Sequence, residues 1–224
     1  MRQPSARIPQ VPNVLQLLFV ALLTQFCAAA MPNASYQLRR YETSDKPAVI
    51  KLFCDNIREE WGELHHEGRY LANAERYIDS VVGDESSDLN SIEQVYFAKG
   101  GYFWVLTAQD ADDDCTEPTV VGMCGLEVIS ETEVELRRMC IGRNHRQNGC
   151  GSNIMIPAIL ERARSMSGVK RISLSTPEHG TDTVIRFYKK KNGFVDMLGE
   201  DGKPKKALNI HGTPIHEVFL ELSI

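Results

Sequence analysis

The chain has 224 residues, a length that favours one domain with a terminal extension over two full domains. Its 42% hydrophobic content suits a globular chain with a core, and 25 Lys and Arg against 30 Asp and Glu give a formal charge of −5, against a general nucleic-acid binder with a clustered basic surface. The six cysteines form no CxxC pair and no zinc-type Cys/His spacing, so no metal centre is expected.

Arg2 and Arg7 precede a mostly apolar run over residues 14–26, which ends in Cys27-Ala28-Ala29-Ala30. A basic region, an apolar region and a small-residue site are the parts of a secretory signal peptide. The run is short and interrupted by Gln16, Thr24 and Gln25, which does not suit a transmembrane helix. Two rival readings stay open. The first 41 residues hold four arginines and no acid, which also suits a mitochondrial presequence, and Met31 stands directly before the folded region as an alternative start. Asn33-Ala34-Ser35 is a glycosylation sequon that matters only in the secretory pathway. Residues 1–30 are therefore expected to be a leader, the only part with membrane contact, and 31–224 the domain.

Residues 36–40 read as a strand with Tyr36 and Leu38 on one face. Ser44 or Asp45 is expected to cap a helix to about Trp61, with Pro47 in its first turn and Val49, Ile50, Phe53, Cys54 and Ile57 forming its apolar stripe. A polar connection over 62–68 leads to a second helix near 71–82 and a loop over 83–91. Strands are expected at 102–108, 119–129 and 134–141, the last two as a hairpin. The acidic stretch 110–118 reads as a solvated loop, since its spacing does not match a calcium loop. A helix over 152–167 carries Ile154, Ile159, Leu160 and Ala163 inward, with Pro157 as a possible kink. A strand at 169–176, a helix at 181–191, a polar hairpin-like stretch at 199–213 and a last strand at 215–222 complete a mixed α/β (α+β) sheet protein.

The strongest chemical signal is Arg146-Gln147-Asn148-Gly149-Cys150-Gly151, between a strand ending at Ile141 and a helix beginning at Ser152. Amides at a helix N-terminus attract anions, and glycines let the backbone approach one closely. Arg146 adds a charge suited to phosphate. The run is neither GxxxxGK[ST] nor GxGxxG, which disfavours nucleoside triphosphates and dinucleotides.

The stretch Glu135-Leu136-Arg137-Arg138-Met139-Cys140-Ile141, followed by Arg146-x-x-Gly149-x-Gly151 and by Ile185-Arg186-Phe187-Tyr188 with Gly193-Phe194, resembles the acetyl-CoA signature of the GCN5-related N-acetyltransferase superfamily. Leu174-Ser175-Thr176, together with the Glu-Leu-Arg-Arg-Met segment, is also similar to its camello-like branch. The resemblance implies a mostly antiparallel sheet flanked by helices, with acetyl-CoA as co-substrate in a cleft between splayed strands. It further implies that the backbone of Met139, Cys140 and Ile141 pairs with the pantetheine arm. Amides from Gln147, Asn148, Gly149, Cys150, Gly151 and Ser152 would hold the pyrophosphate, and Tyr188 would protonate the leaving thiolate. Four residues, Lys189 to Asn192, separate Tyr188 from Gly193, where the family usually has three, so the helix must absorb one residue for Tyr188 to face the site.

Transfer to an amine requires a neutral nucleophile, because an alkylammonium has a pKa of about 10. Glu135 and Glu127 are the candidate bases, and Glu135 matches the family position facing the acceptor. His65 and His66 read as solvated loop residues, and Cys150 as a non-nucleophile beside the pyrophosphate. The expected function is transfer of an acetyl group to a primary amine on a small molecule or peptide. The alternative from another class is a CoA-binding sensor or scaffold whose catalytic residues have decayed.

Overall fold

The computed structural model describes residues 34–64, 69–110, 117–177, 183–208 and 216–224. The leader, the Asn33 sequon, His65 and His66 lie outside them, as does most of the acidic stretch. Among the described residues no helix is long and apolar enough to cross a membrane.

The chain builds β1 (Ala34–Arg40), α1 (Lys46–Leu64), α2 (Arg69–Val82), a π turn (Glu93–Phe97), β2 (Tyr102–Asp110), β3 (Thr119–Ser130) and β4 (Glu133–Ile141). There follow a π turn (Cys150–Met155) running into α3 (Ile156–Ser165), β5 (Arg171–Pro177), α4 (Thr183–Arg186) continued by a π turn (Phe187–Lys191), β6 (Val195–Asp196), β7 (Lys206–Leu208) and β8 (His216–Ser223). The sheet order is β1-β2-β3-β4-β5-β8-β6, with β7 also on β8. All pairings are antiparallel except β4 with β5.

Alternation along the strands sends apolar side chains to both faces. Trp104, Leu106, Leu126, Val134, Leu136, Ile172 and Leu220 pack with Met155, Ile156, Ile159 and Ala163 from the α3 segment. Phe103, Val105 and Met123 pack on the other face with Val49, Leu52 and Phe53 of α1 and Ile78 and Val81 of α2. Burying each large apolar side chain contributes roughly 1.5–3 kcal/mol, so these two layers carry the fold. The α1–α2 layer covers β1 to β3 and leaves part of the same face of β4, β5 and β8 open to a cavity of about 250 Å³ lined by Ile129, Glu133, Glu135, Ser173, Met197 and Phe219.

Three local expectations are refined. The start of α1 is not capped by Asp45 or Ser44 in the expected way: a 3-10 turn (Thr43–Asp45) precedes it, and Asp45 instead reaches back to accept from the Glu42 amide at 2.9 Å and from both Arg39 nitrogens at 2.7 Å. Pro157 falls in the first turn of α3, directly after the π turn Cys150–Met155, so the irregular turn lies just before the proline. Met155 and Ile156 are buried more deeply than Ile154 and Leu160, which are half-buried.

Candidate active site

The parallel pairing of β4 with β5 is short. It runs only from Glu133, Val134 and Glu135 to Arg171, Ile172 and Ser173. Residues 136–141 of β4 and 174–177 of β5 continue without pairing to each other, so the sheet opens into a cleft. β5 turns to β8 along its whole length, while β4 stays on β3. The backbone groups of β4 that face the cleft at Met139, Cys140 and Ile141 have no β5 partner, and a buried backbone polar group without a partner is a place for a ligand or water.

The glycine loop stands at the end of this β4 arm. Gln147 has φ 65° and Gly149 φ 78°, two left-handed residues separated by one, at the turn into the helical segment. The Asn153 amide donates to the Gly149 carbonyl at 2.8 Å and begins the helical turn. A Cβ on Gly149 would meet Asn153 Nδ2 at 2.6 Å, and one on Gly151 would meet the Phe187 ring at 3.1 Å and Met139 Cε at 3.6 Å. Gly151 therefore lets the loop, the β4 arm and the Phe187-Tyr188 segment approach one another closely. The first amides of a helical segment have no intrahelical partner, and such donors suit an anion such as a phosphate.

The loop is held by partners distant in sequence. Arg146 donates to the Ile141 carbonyl at 2.8 Å, to Asn56 Oδ1 at 2.7 Å and to Glu59 Oε2 at 3.0 Å. Its guanidinium thus ties the loop to α1. Tyr36 on β1 accepts from Asn148 Nδ2 at 3.0 Å and lies 3.2 Å from His145 Nδ1, with the two rings edge to face. Tyr36, Asn56 and Glu59 were not among the expected site residues; the pattern of β1 and α1 shows which faces they occupy but not what meets them. Burial raises the Cys150 thiol above its ordinary value and leaves it protonated beside the loop.

Tyr188 is 7% exposed and packs edge to face on Phe187 at 5.1 Å and Phe194 at 5.5 Å. The residues after Tyr188 run through the π turn Phe187–Lys191, a wider turn than that of an α-helix and a place where one extra residue can be accommodated. The turn closes with Phe194 N on the Tyr188 carbonyl at 3.1 Å and Asn192 Nδ2 on the Phe187 carbonyl at 2.8 Å. Burial, then the Cys124 and Cys140 thiols and the Glu60 carboxylate, raises the Tyr188 hydroxyl well above its ordinary value. It stays protonated at neutral pH.

Glu127 and Glu135 face each other across β3 and β4. Glu127 is already engaged, with Lys99 Nζ at 3.2 Å on one oxygen and Arg137 Nη1 on the other. Glu135 has only the Arg137 Nε at 3.9 Å among described partners. Burial raises its carboxyl, Arg137 opposes this, and Glu127, Glu133 and Glu217 raise it further, for a net upward shift. Two residues earlier on the same face Glu133 moves the other way: burial raises it, but Ser173 at 2.6 Å and Arg171 outweigh that and hold it below its ordinary value. The two neighbouring carboxyls are thus pushed in opposite directions. A second cavity, of about 500 Å³, shares Arg171, Met197 and Lys205 with the one over Glu135. Neither cavity touches the glycine loop or Tyr188. Among the described residues no group of three or more His, Cys, Asp or Glu side chains is placed to hold a metal.

Comparison with known proteins agrees with this architecture. A crystal structure of a GNAT-family acetyltransferase from Staphylococcus aureus is 20% identical, with a TM-score of 0.55 over 84% of this chain and 99% of that one. An acetyltransferase from Streptococcus agalactiae is 18% identical, with a TM-score of 0.57 over 84% and 98%. The paia N-acetyltransferase of Thermoplasma acidophilum, in complex with coenzyme A, is 17% identical, with a TM-score of 0.59 over 85% and 99%. At these identities the likeness is one of fold. A search of curated proteins finds no match. The profile of the Acetyltransferase (GNAT) family matches residues 39–194, from the end of β1 to the Gly193-Phe194 pair, and the chain belongs to that family of acetyl-transferring enzymes.

Proposed function

We propose that the chain is an acetyl-CoA-dependent N-acetyltransferase that moves an acetyl group to a primary amine by direct attack on the thioester. The observation that carries this reading is the early end of the β4–β5 pairing at Glu135 and Ser173, with the glycine loop at the far end of the unpaired β4 arm. The pyrophosphate sits on amides of Gln147, Asn148, Gly149, Cys150, Gly151 and Ser152. The pantetheine arm runs along Met139, Cys140 and Ile141, which puts the thioester beside Tyr188. Arg146 acts by fixing the loop to α1, with its contact to phosphate secondary.

In the transfer, the neutral amine nitrogen attacks the thioester carbonyl carbon. A C–N bond forms, the C–S bond breaks, and its electron pair leaves with sulfur. Glu135 takes a proton from the nitrogen, directly or through one water, and Tyr188 gives its proton to the sulfur. The elevated Glu135 carboxyl and the protonated Tyr188 suit these roles, and no covalent enzyme intermediate is involved. The open face over Glu135 receives the acceptor, a small molecule or a peptide amine. Residues 1–30 support delivery into the membrane system, tested by glycosidase-sensitive modification at Asn33.

Release of CoA thiol over a panel of amines tests the proposal. Amine-dependent thiol release and an acetylated product are expected. CoA binding without release for any amine leaves a binding module and removes the catalytic reading.

A further inference from the structure

Arg138 is where β4 changes direction. Met123 pairs with Cys140 and Gly125 with Arg137, so Cys124 faces both Arg138 and Met139, and β4 carries one extra residue. Arg138 has φ 56°, in the left-handed region that a long side chain seldom adopts. The bulge changes the face that each later residue presents. Met139 packs with the α3-side core and Cys140 with the α1–α2 side. Strict alternation from Arg137, on the side of Glu135, would place them the other way. The bulge therefore stands at the foot of the cleft, directly before Met139, Cys140 and Ile141.

A residue in such a conformation persists where its surroundings hold it. Arg138 Nε and Nη2 donate to Asp88 Oδ2 and Oδ1 at 2.8 and 2.7 Å, and Nη1 donates to Tyr77 Oη at 2.9 Å. Its guanidinium carbon lies 5.1 Å from the Phe53 ring centroid. The Asp88 side chain is 5% exposed and also accepts from Tyr96 Oη at 2.8 Å. Burial would raise its carboxyl, but Arg138, Arg137 and the Tyr96 hydroxyl outweigh this and hold it ionised, below its ordinary value. The Asp88 loop is fixed in turn by Asn90 Nδ2, which donates to the Val82 and Asp84 carbonyls at 2.8 and 2.9 Å. The two-point fork of the ion pair sets orientation as well as distance.

We infer that Asp88 and Arg138 are positioning residues for acetyl-CoA: their buried pair clamps the β4 bulge and so sets the direction of the Met139, Cys140 and Ile141 backbone that receives the pantetheine arm. The inference rests on the acetyl-CoA reading above, and neither side chain is assigned a contact with the co-substrate.

The test compares the full chain with Asp88→Asn, Arg138→Lys and Tyr96→Phe at a temperature where circular dichroism shows each folded. Asp88→Asn should raise the calorimetric Kd for CoA at least tenfold while kcat at saturating acetyl-CoA stays within about threefold. Arg138→Lys keeps the charge without the fork and should give an intermediate loss. Tyr96→Phe leaves the ion pair in place and should stay within about threefold in Kd. A lowered Tm with unchanged CoA affinity in Asp88→Asn would make the pair a stabilising element only and overturn the inference. If Asp88→Asn does not fold, unchanged affinity in Arg138→Lys overturns it. Amide hydrogen exchange in the absence of CoA separates the clamp from the acetyl-CoA reading: either variant should speed exchange over residues 138–141 at least tenfold. Unchanged exchange there overturns the clamp whatever CoA does; faster exchange in a chain whose wild type binds no CoA overturns the acetyl-CoA reading and the positioning role with it.

Discussion

Replacing Gly149 with valine tests the glycine loop at its tightest point. The residue has φ 78°, and a Cβ there would lie 2.6 Å from Asn153 Nδ2, at the end of a side chain that must move away. Holding a branched residue in the left-handed region costs roughly 1–2 kcal/mol. The chain can relieve this only by rotating the peptide units on either side, which turns the following amides away from a common centre. A hydrogen bond to a charged group contributes about 1.5–3 kcal/mol, so the loss of one such amide weakens binding by about tenfold or more. Gly149→Val is thus expected to raise the Kd for CoA by about 10- to 100-fold. Tm should fall by about 2–8 °C, as 1–2 kcal/mol predicts for a chain of this size. Calorimetric titration of the wild type and the variant, with circular dichroism to establish folding, gives both quantities. A lowered Tm with unaltered Kd would refute the reasoning, because the strain would be present without any loss of phosphate contact.

Tyr188→Phe removes the hydroxyl and keeps the packing on Phe187 and Phe194, so turnover should fall by about 10² with CoA affinity unchanged, and full activity in steady-state assays would contradict the proton-donor role. Glu135 must be ionised to accept a proton, and burial foremost raises its carboxyl, so kcat/KM should decline as pH falls through a value above the ordinary ~4.3; Glu135→Gln should lower the rate about 10²- to 10⁴-fold and abolish that acidic limb. Burial raises Asp45, yet the Arg39 hydrogen bonds and the Glu42 amide outweigh it and lower its carboxyl, so its stabilisation is complete above the unfolded value near ~4 and is lost as pH falls through the folded value. Asp45→Asn should therefore cost about 1–3 kcal/mol in urea unfolding at pH 7 and less in strong acid. A fragment of residues 31–224 should fold and bind CoA, since β1 begins at Ala34, and an insoluble fragment would place part of the leader inside the domain.

The elements legible in the sequence are those with strong local pattern: the alternating strands, the apolar stripe of α1, and the glycine pair between β4 and the α3 segment. Gly149 and Gly151 were legible because their role is written in their own backbone, a positive φ at one and a close approach at the other. The π turn Glu93–Phe97 was not foreseen, because Glu-Gln-Val-Tyr-Phe has no distinct helical stripe and its Tyr96 is set by the tertiary contact with Phe103. The props of the site were hidden for a different reason. Tyr36 meets Asn148 across 112 positions and Asn56 meets Arg146 across 90, and no local period encodes such a meeting. Arg146 illustrates the consequence: its charge suggested phosphate, whereas Asn56, Glu59 and the Ile141 carbonyl direct its head to α1. The extra residue after Tyr188 could be counted in the sequence, but its accommodation in a π turn required the packing of Phe187, Tyr188 and Phe194 to be seen.

The central claim is that the gap between β4 and β5 is an acetyl-CoA site, and a crystal structure of the full chain with CoA tests it most directly. The account predicts the pantetheine arm along Met139, Cys140 and Ile141, the pyrophosphate on the amides of residues 147–152, and the thiol sulfur beside Tyr188. CoA bound elsewhere, or bound with its sulfur away from Tyr188 and the face of Glu135, would contradict it.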